Sequence, residues 1–265
     1  MAGQKKQIMN PVYPKKSLGQ NFLKDPNVSR KIVDCLDIQD GDSILEIGPG
    51  RGALTGFLLE KTDCVLALEK DWHLCTGLKK KYPDLGLINA DALKFVWEAL
   101  DGKPDLKIVG NLPYNVASPI IWELVSCLYS FQSALFMLQK EVAQRICSGP
   151  GKRTYGALTA WVQNFAQPVY RFEVSPEVFS PRPKVDSAIV QLYPLKQASK
   201  PDKDTLARCI KLVFSWKRKQ LKKILKNYKS EQLAAWFERN ALRPESRPEE
   251  VPARAFVELS EIILR

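Results

Sequence analysis

Four consecutive residues, Asn111-Leu112-Pro113-Tyr114, combine two hydrogen-bond acceptors, a backbone constraint and an aromatic face. An exocyclic amine on a nucleobase such as adenine is a poor nucleophile, because its lone pair is delocalised into the ring. Acceptors on both of its N–H groups, here the Asn111 amide oxygen and the Leu112 backbone carbonyl, favour a pyramidal nitrogen whose lone pair points at a methyl donor. No side chain needs to titrate. Pro113 fixes the backbone that aims the acceptors, and Tyr114 offers a face on which an extruded base can stack. The same four residues also fit a proline turn with a buried tyrosine.

A second constellation is Glu46-Ile47-Gly48-Pro49-Gly50-Arg51-Gly52-Ala53. Glycines at a strand end let a cofactor approach the backbone closely, and a following helix offers unpaired N–H groups. Glu69, 21 residues after Gly48, is placed to bind both hydroxyls of a ribose. Asp91 follows a third strand, from which a carboxylate can reach an adenine amine. The spacing Gly48, Gly50, Ala53 satisfies the loose dinucleotide fingerprint, so the loop alone does not separate a nicotinamide cofactor from S-adenosylmethionine. A Gly-Pro-Gly run is also a common turn, and an acid after a strand is also a common helix cap. Three such features at successive strand ends are harder to explain that way, since ligands of open parallel sheets lie at the carboxyl ends of the strands.

The elements that must hold these residues can be read from pattern. Short β-rich runs at Ser43–Ile47, Val65–Glu69, Leu85–Asn89, Leu106–Gly110 and Ala134–Leu138 alternate with helical patterns at Ala53–Glu60, Trp72–Lys80, Pro119–Tyr129 and Lys140–Cys147. That alternation predicts an α/β fold with a parallel sheet. Val169–Val174 and Ser187–Leu192 flank a proline-rich stretch without a helix between them, which predicts an antiparallel edge hairpin and seven strands in all. After the polar linker Lys196–Pro201, apolar residues at Leu206, Ile210, Val213, Phe214, Leu221, Ile224 and Leu225 fit a helical stripe. The expected organisation is a catalytic domain over 1–195 with a basic N-terminal arm, and a small helical domain over 196–265.

The 265 residues carry 40 Lys plus Arg against 29 Asp plus Glu, a formal charge of +11. Residues 1–31 hold +6 and residues 196–229 hold +10, leaving −5 on the rest. Basic flanks around a mildly acidic body are the footprint of a protein that grips a phosphate backbone. Lys217, Arg218, Lys219, Lys222 and Lys223, beside Trp216, are the candidate RNA contacts. Six scattered cysteines, without a C-x-x-C pair, and a single histidine, His73, argue against a zinc or two-histidine metal site. No metal is expected, and His73 is assigned no catalytic role. A nicotinamide dehydrogenase would lack a proton relay with His73 alone. Between Ile108 and Gln139 the only charge is Glu123, but Asn111, Pro113, Asn115 and Pro119 interrupt the stretch, so no membrane span or membrane partner is expected. The N-terminus has no apolar signal region, and a cytoplasmic location is expected.

Together with Ser17-Leu18-Gly19-Gln20-Asn21-Phe22-Leu23 and Phe179-Ser180-Pro181-Arg182-Pro183-Lys184-Val185-Asp186-Ser187, the two constellations resemble the ribosomal RNA adenine N6-dimethyltransferase family, most closely its small-subunit type. The likeness runs in register from about Lys15 to about Leu195 and more loosely through Phe214 to Leu225. It implies a Rossmann-like S-adenosylmethionine methyltransferase fold. It also implies S-adenosyl-L-methionine as cofactor, bound by Asn21, Leu23, Gly48, Glu69, Asp91 and Asn111. Phe179 would be a second stacking partner opposite Tyr114. The implied substrate is a pair of adjacent adenosines in the 3′-terminal hairpin loop of 16S rRNA, within the small subunit or its precursor, and the implied enzyme is monomeric. The alternatives are a 23S rRNA adenine N6-methyltransferase of the antibiotic-resistance type and a non-catalytic assembly factor.

Overall fold

A computed structural model describes residues 20–196, 201–228 and 230–264. The chain runs β1 (Phe22–Leu23), α1 (Pro26–Asp34), β2 (Ser43–Ile47), α2 (Thr55–Leu59), β3 (Val65–Glu69), α3 (Trp72–Lys81), β4 (Gly86–Asn89), β5 (Leu106–Asn111), α4 (Ala117–Cys127), β6 (Ser133–Gln139) and α5 (Lys140–Ile146). It continues through α6 (Ala157–Phe165), β7 (Ala166–Val174), β8 (Phe179–Ser180), β9 (Ser187–Pro194), α7 (Lys203–Ser215), α8 (Leu221–Ile224), α9 (Glu231–Arg239) and α10 (Ala255–Leu264).

Seven strands form one sheet in the order β4-β3-β2-β5-β6-β9-β7. The β4, β3, β2, β5 and β6 strands are parallel, and β9 pairs antiparallel with both β6 and β7. Strands such as Ser-Ile-Leu-Glu-Ile and Val-Leu-Ala-Leu-Glu are apolar on both faces because helices cover both. The expected edge hairpin is present, and β7 extends back through Pro168, which an edge strand tolerates. The sheet order reverses at β2, between β3 and β5, so the ends of β2, β3 and β5 open onto one crevice.

Three elements escaped the sequence pattern. Helix α1 is a nine-residue amphipathic helix capped by Asp25, whose carboxylate accepts from the N–H groups of Asn27 and Val28. Helix α6 buries Thr159, Ala160, Trp161, Val162, Asn164 and Phe165, so it has no polar face to give a helical period. The third is a separate antiparallel pair, in which Phe22 lies opposite Ser180 and Leu23 opposite Phe179.

The C-terminal helices do not carry a core of their own. One continuous apolar cluster runs from Leu45, Ile108 and Phe136 in the sheet through Trp161 and Phe165 to Ile210, Val213, Trp236 and Phe256. The Trp122 and Trp161 rings stack at 4.1 Å and 3°, and Trp161 Nε1–H donates to the Trp122 carbonyl at 2.8 Å. The helical region is therefore fastened to the sheet domain. Among the described residues no helix is long and apolar enough to cross a membrane, and no cluster of metal-ligating side chains occurs.

Candidate active site

A single cavity at the carboxyl ends of β2, β3, β4 and β5 is lined by Asn21, Leu23, Glu46, Gly48, Gly50, Glu69, Asp91, Asn111, Leu112, Pro113 and Tyr114, among others. All six residues expected to hold a cofactor thus face one space. Gly48 has φ +68°, and a Cβ there would meet only the Asn111 carbonyl, at 3.9 Å. The glycine keeps that wall of the cavity open and supplies a left-handed turn other residues resist. Gly50, at φ +60°, lies against the Phe22 ring, 3.1 Å from where a Cβ would stand.

The glycine loop is longer than expected. Helix α2 starts at Thr55 rather than Ala53 and has five residues, so loop backbone rather than a helix end borders the cavity. Glu69 braces that loop. One carboxylate oxygen accepts from Gly50 N–H at 3.1 Å and the other from Asp71 N–H at 2.8 Å. A carboxylate has about four acceptor sites, so lone pairs remain for two ribose hydroxyls. Asp91 accepts from Leu93 N–H at 3.0 Å and pairs with Lys70 at 2.8 Å, and the Lys70 contact holds its carboxyl below the usual range. No helix starts there; Asp91 closes a turn and is an acceptor at the cavity.

Glu46 opens the glycine motif, where no role was expected of it. It is 1% exposed and lines the cavity. The Thr55 hydroxyl donates to it at 2.6 Å. Burial pushes its carboxyl up to about 7, and the nearby Glu69 charge pushes in the same direction. The available signal was an acid inside the otherwise apolar strand Ser-Ile-Leu-Glu-Ile.

Asn111 ends β5, where its amide Nδ2 donates to the Asn21 backbone carbonyl at 3.1 Å. That bond fixes the amide orientation and leaves Oδ1 as the free acceptor. The Leu112 side chain is 1% exposed in the core, so only its backbone serves the cavity. The Pro113 carbonyl accepts from Val116 and Ala117 N–H, starting α4. The Tyr114 hydroxyl is bonded to Ser187 Oγ of β9 at 2.6 Å, which anchors the ring at the cavity. Burial raises its phenol, so Tyr114 stays neutral. Ser187 closes the motif that begins at Phe179, but nothing in the sequence linked it to Tyr114.

Phe179 departs from expectation. It is 2% exposed and packs in the apolar cluster with Leu23, Ile32, Val33 and Leu36, outside the cavity lining. Strand alternation explains this, because pairing with Leu23 turns its side chain toward the core. The basic run is also divided. Lys217 donates to the backbone carbonyls of Arg153 at 3.0 Å and Tyr155 at 2.6 Å, so its charge ties the end of α7 to the loop between α5 and α6. Lys222 pairs with Glu245 at 2.8 Å at the surface. Lys219 sits 3.8 Å from the exposed Trp216 ring, while Arg218 and Lys223 are exposed. His73 is exposed at the start of α3, where its backbone N–H caps onto Asp71 at 3.0 Å.

Residues 13–264 match the family described as ribosomal RNA adenine dimethylase. The chain is similar to ribosomal RNA small subunit methyltransferase A of Maridesulfovibrio salexigens, at 48% identity over 92% of this chain and 94% of the relative. It is similar to the protein of the same name from Oleidesulfovibrio alaskensis, at 44% identity over 94% and 91%. Among solved structures, a dimethyladenosine transferase from Plasmodium falciparum matches with TM-score 0.75 and 30% identity over 90% of this chain and 95% of that one. The 23S rRNA methyltransferase ErmE, at 23% identity, TM-score 0.70 and coverage of 92% and 100%, shares the fold. With the glycine loop, its bracing acids and the Asn-Leu-Pro-Tyr turn converging on one cavity, the match spans both the site and the helices behind it: the chain belongs to the ribosomal RNA adenine dimethylase family.

Proposed function

We propose that the protein is an S-adenosylmethionine-dependent methyltransferase that dimethylates N6 of two adjacent adenosines in the 3′-terminal hairpin loop of 16S rRNA, in the small subunit or its precursor, and so takes part in 30S biogenesis. S-adenosylmethionine supplies an electrophilic methyl group on a sulfonium centre. The residues present fit such a ligand: Gly48 leaves the wall open, Glu69 keeps lone pairs for a ribose, and Asp91 keeps acceptor capacity beside it. Asn21 and Leu23 close the same cavity from the N-terminal side.

The observation that carries the reading is the orientation of Asn111. With Nδ2 held by the Asn21 carbonyl, Oδ1 is left to accept from a target amine. The Leu112 carbonyl takes the second N–H, and Tyr114, steadied by Ser187, stacks the extruded base. No base is needed before methyl transfer, because the proton lost from the quaternised nitrogen is strongly acidic and leaves to solvent. Phe179 contributes by supporting the Leu23 strand. The backbone of the rRNA is gripped by Arg218, Lys219 and Lys223, with Lys222 joining when it leaves its surface pair, which is weak in water. Lys217 takes a structural part.

The test replaces Asn111 by Ala and follows methyl incorporation into undermethylated 30S subunits, with 50S precursors offered alongside. The expected result is methylation of 30S alone by the parent protein and a loss of about 100-fold in the variant. Near-normal incorporation by the variant would sink the mechanism, and methylation of 50S alone would favour the 23S rRNA reading.

A further inference from the structure

The cavity lining holds three acids and two cations among the described residues. Asp91 and Lys70 neutralise each other at 2.8 Å, and the Arg51 guanidinium lies 4.5 Å from the Phe22 ring centroid. Glu69 keeps two backbone N–H donors, from Gly50 and Asp71. Glu46, deeper and 1% exposed, is held by the Thr55 hydroxyl alone among the contacts above. Of the two acids left, Glu46 is therefore the one on which a negative charge is hardest to keep. The residues that β5 and the loop after it bring to this cavity, Asn111, Leu112, Pro113, Tyr114, Asn115 and Val116, carry no charge.

The proposed cofactor and its product differ by one methyl group and one positive charge, since a sulfonium becomes a thioether. A buried carboxyl that changes protonation with the ligand's charge distinguishes the two. We propose that Glu46 is a charge sensor for the sulfonium: protonated in the ligand-free and product-bound protein, it gives its proton to solvent when the cationic cofactor binds and regains one from solvent after methyl transfer. This rests on the methyltransferase reading above. Its consequence is that cofactor affinity rises with pH through neutrality while product affinity does not, which favours exchange of product for cofactor between successive transfers. The raised carboxyl of Glu46, at about 7, puts the response in the physiological range.

The experiment is isothermal titration of the full chain with S-adenosylmethionine and with S-adenosylhomocysteine, from pH 6 to 8.5, in buffers of different ionisation enthalpy. The parent protein is compared with Glu46→Gln, which keeps the volume and an acceptor for Thr55. Each ligand's own amine titrates alike in both proteins, so the difference between proteins isolates Glu46. Expected at pH 7 is release of about half a proton per cofactor bound and less than about a tenth per product. Parent cofactor affinity rises about tenfold more than the variant's across the pH range. A second variant, Thr55→Val, removes the hydroxyl that favours the carboxylate and moves the midpoint of the response to higher pH. Equal release with both ligands, or a response that survives Glu46→Gln, overturns the proposal. If Glu46→Gln does not fold, the Thr55→Val midpoint decides, and an unmoved midpoint overturns it. Absence of binding by either ligand to the parent protein would instead refute the methyltransferase reading.

Discussion

Gly110→Ala tests whether the spacing of β2 and β5 sets the geometry of the site. Gly110 faces Ile47 in the parallel ladder and immediately precedes Asn111. Its backbone is in ordinary strand conformation, so the glycine is needed for space rather than for torsional freedom. A Cβ there would lie 2.8 Å from the Ile47 carbonyl oxygen and 3.0 Å from Leu112 Cδ2. The carbonyl belongs to the sheet and cannot rotate away, so β5 must move by about 0.6 Å to reach ordinary contact at 3.4 Å. Overpacking of this kind costs about 1–3 kcal/mol, offset by ~0.4–1 kcal/mol from the stiffer unfolded chain. The net loss of about 1–2 kcal/mol lowers Tm by about 2–8 °C in a chain of this size. Asn111 is carried along, and misplacement approaching 1 Å costs up to about 100-fold in rate. Gly149→Ala is the control, since a Cβ there meets nothing within 4 Å. Thermal melts and single-turnover methylation of 30S subunits read both effects. A Gly110→Ala protein melting within about 1 °C of the parent, with a rate within about twofold, would refute the argument.

The buried Glu46 makes the ligand-free fold pH-dependent: its carboxyl titrates at about 7 when folded against 4.5 for an exposed glutamate, so the folded state holds the extra proton between those values. That contribution is complete below about pH 4.5 and lost as pH rises through 7; Glu46→Gln should flatten the pH dependence of the unfolding free energy measured in urea between pH 5 and 8 by up to roughly 3 kcal/mol. Lys107 and Asp42 form a 2.7 Å pair at 5% and 6% exposure, and the Lys107 ammonium also donates to the Asp37 carbonyl. Lys107→Met should cost about 3–5 kcal/mol in denaturant unfolding, and adding Asp42→Asn should recover most of it; a loss below about 1 kcal/mol would mean the pair is idle. Lys217→Ala should lower Tm while leaving the salt dependence of RNA binding unchanged, because its ammonium is committed to two carbonyls. Lys223→Ala should leave Tm alone and reduce the slope of log affinity against log salt by about 0.7–0.9, and the opposite pattern would reverse the two assignments.

Most of the sheet was legible because its strands are covered on both faces. Ser43–Ile47 and Val65–Glu69 were read without error, and β5, β6 and β9 each gained one or two residues. What escaped notice lacked a local period. Helix α6 buries most of its residues, Thr159 and Asn164 included, and the β1–β8 pair joins Leu23 to Phe179 across most of the sheet domain. That pairing also decides which way Phe179 points, so its motif could place the strand but not the ring. The basic run suffered from a related limit: charge counts do not distinguish Lys217, spent on backbone carbonyls, from Lys223, which faces water.

The same distinction separates the two acceptors of the Asn-Leu-Pro-Tyr turn. The Leu112 carbonyl is placed by the strand it directly follows and by Pro113, so the motif contains everything needed to aim it. Asn111 is different, because an amide can present either its oxygen or its nitrogen, and the choice is made by the Asn21 backbone 90 residues earlier. The bond uses the carbonyl of residue 21, so no side chain at that position records it. What must be kept is the path of the segment, and that path is pinned where Phe22 and Leu23 pair with β8 and where Phe22 lies under Gly50 and the Arg51 guanidinium. Tyr114 depends in the same way on Ser187, from the antiparallel end of the sheet. A four-residue motif therefore becomes an amine-binding site only after two segments outside the βα units have closed on it. It follows that damage to β1 or β8 should lower the methylation rate even where cofactor-binding acids and the motif itself are intact.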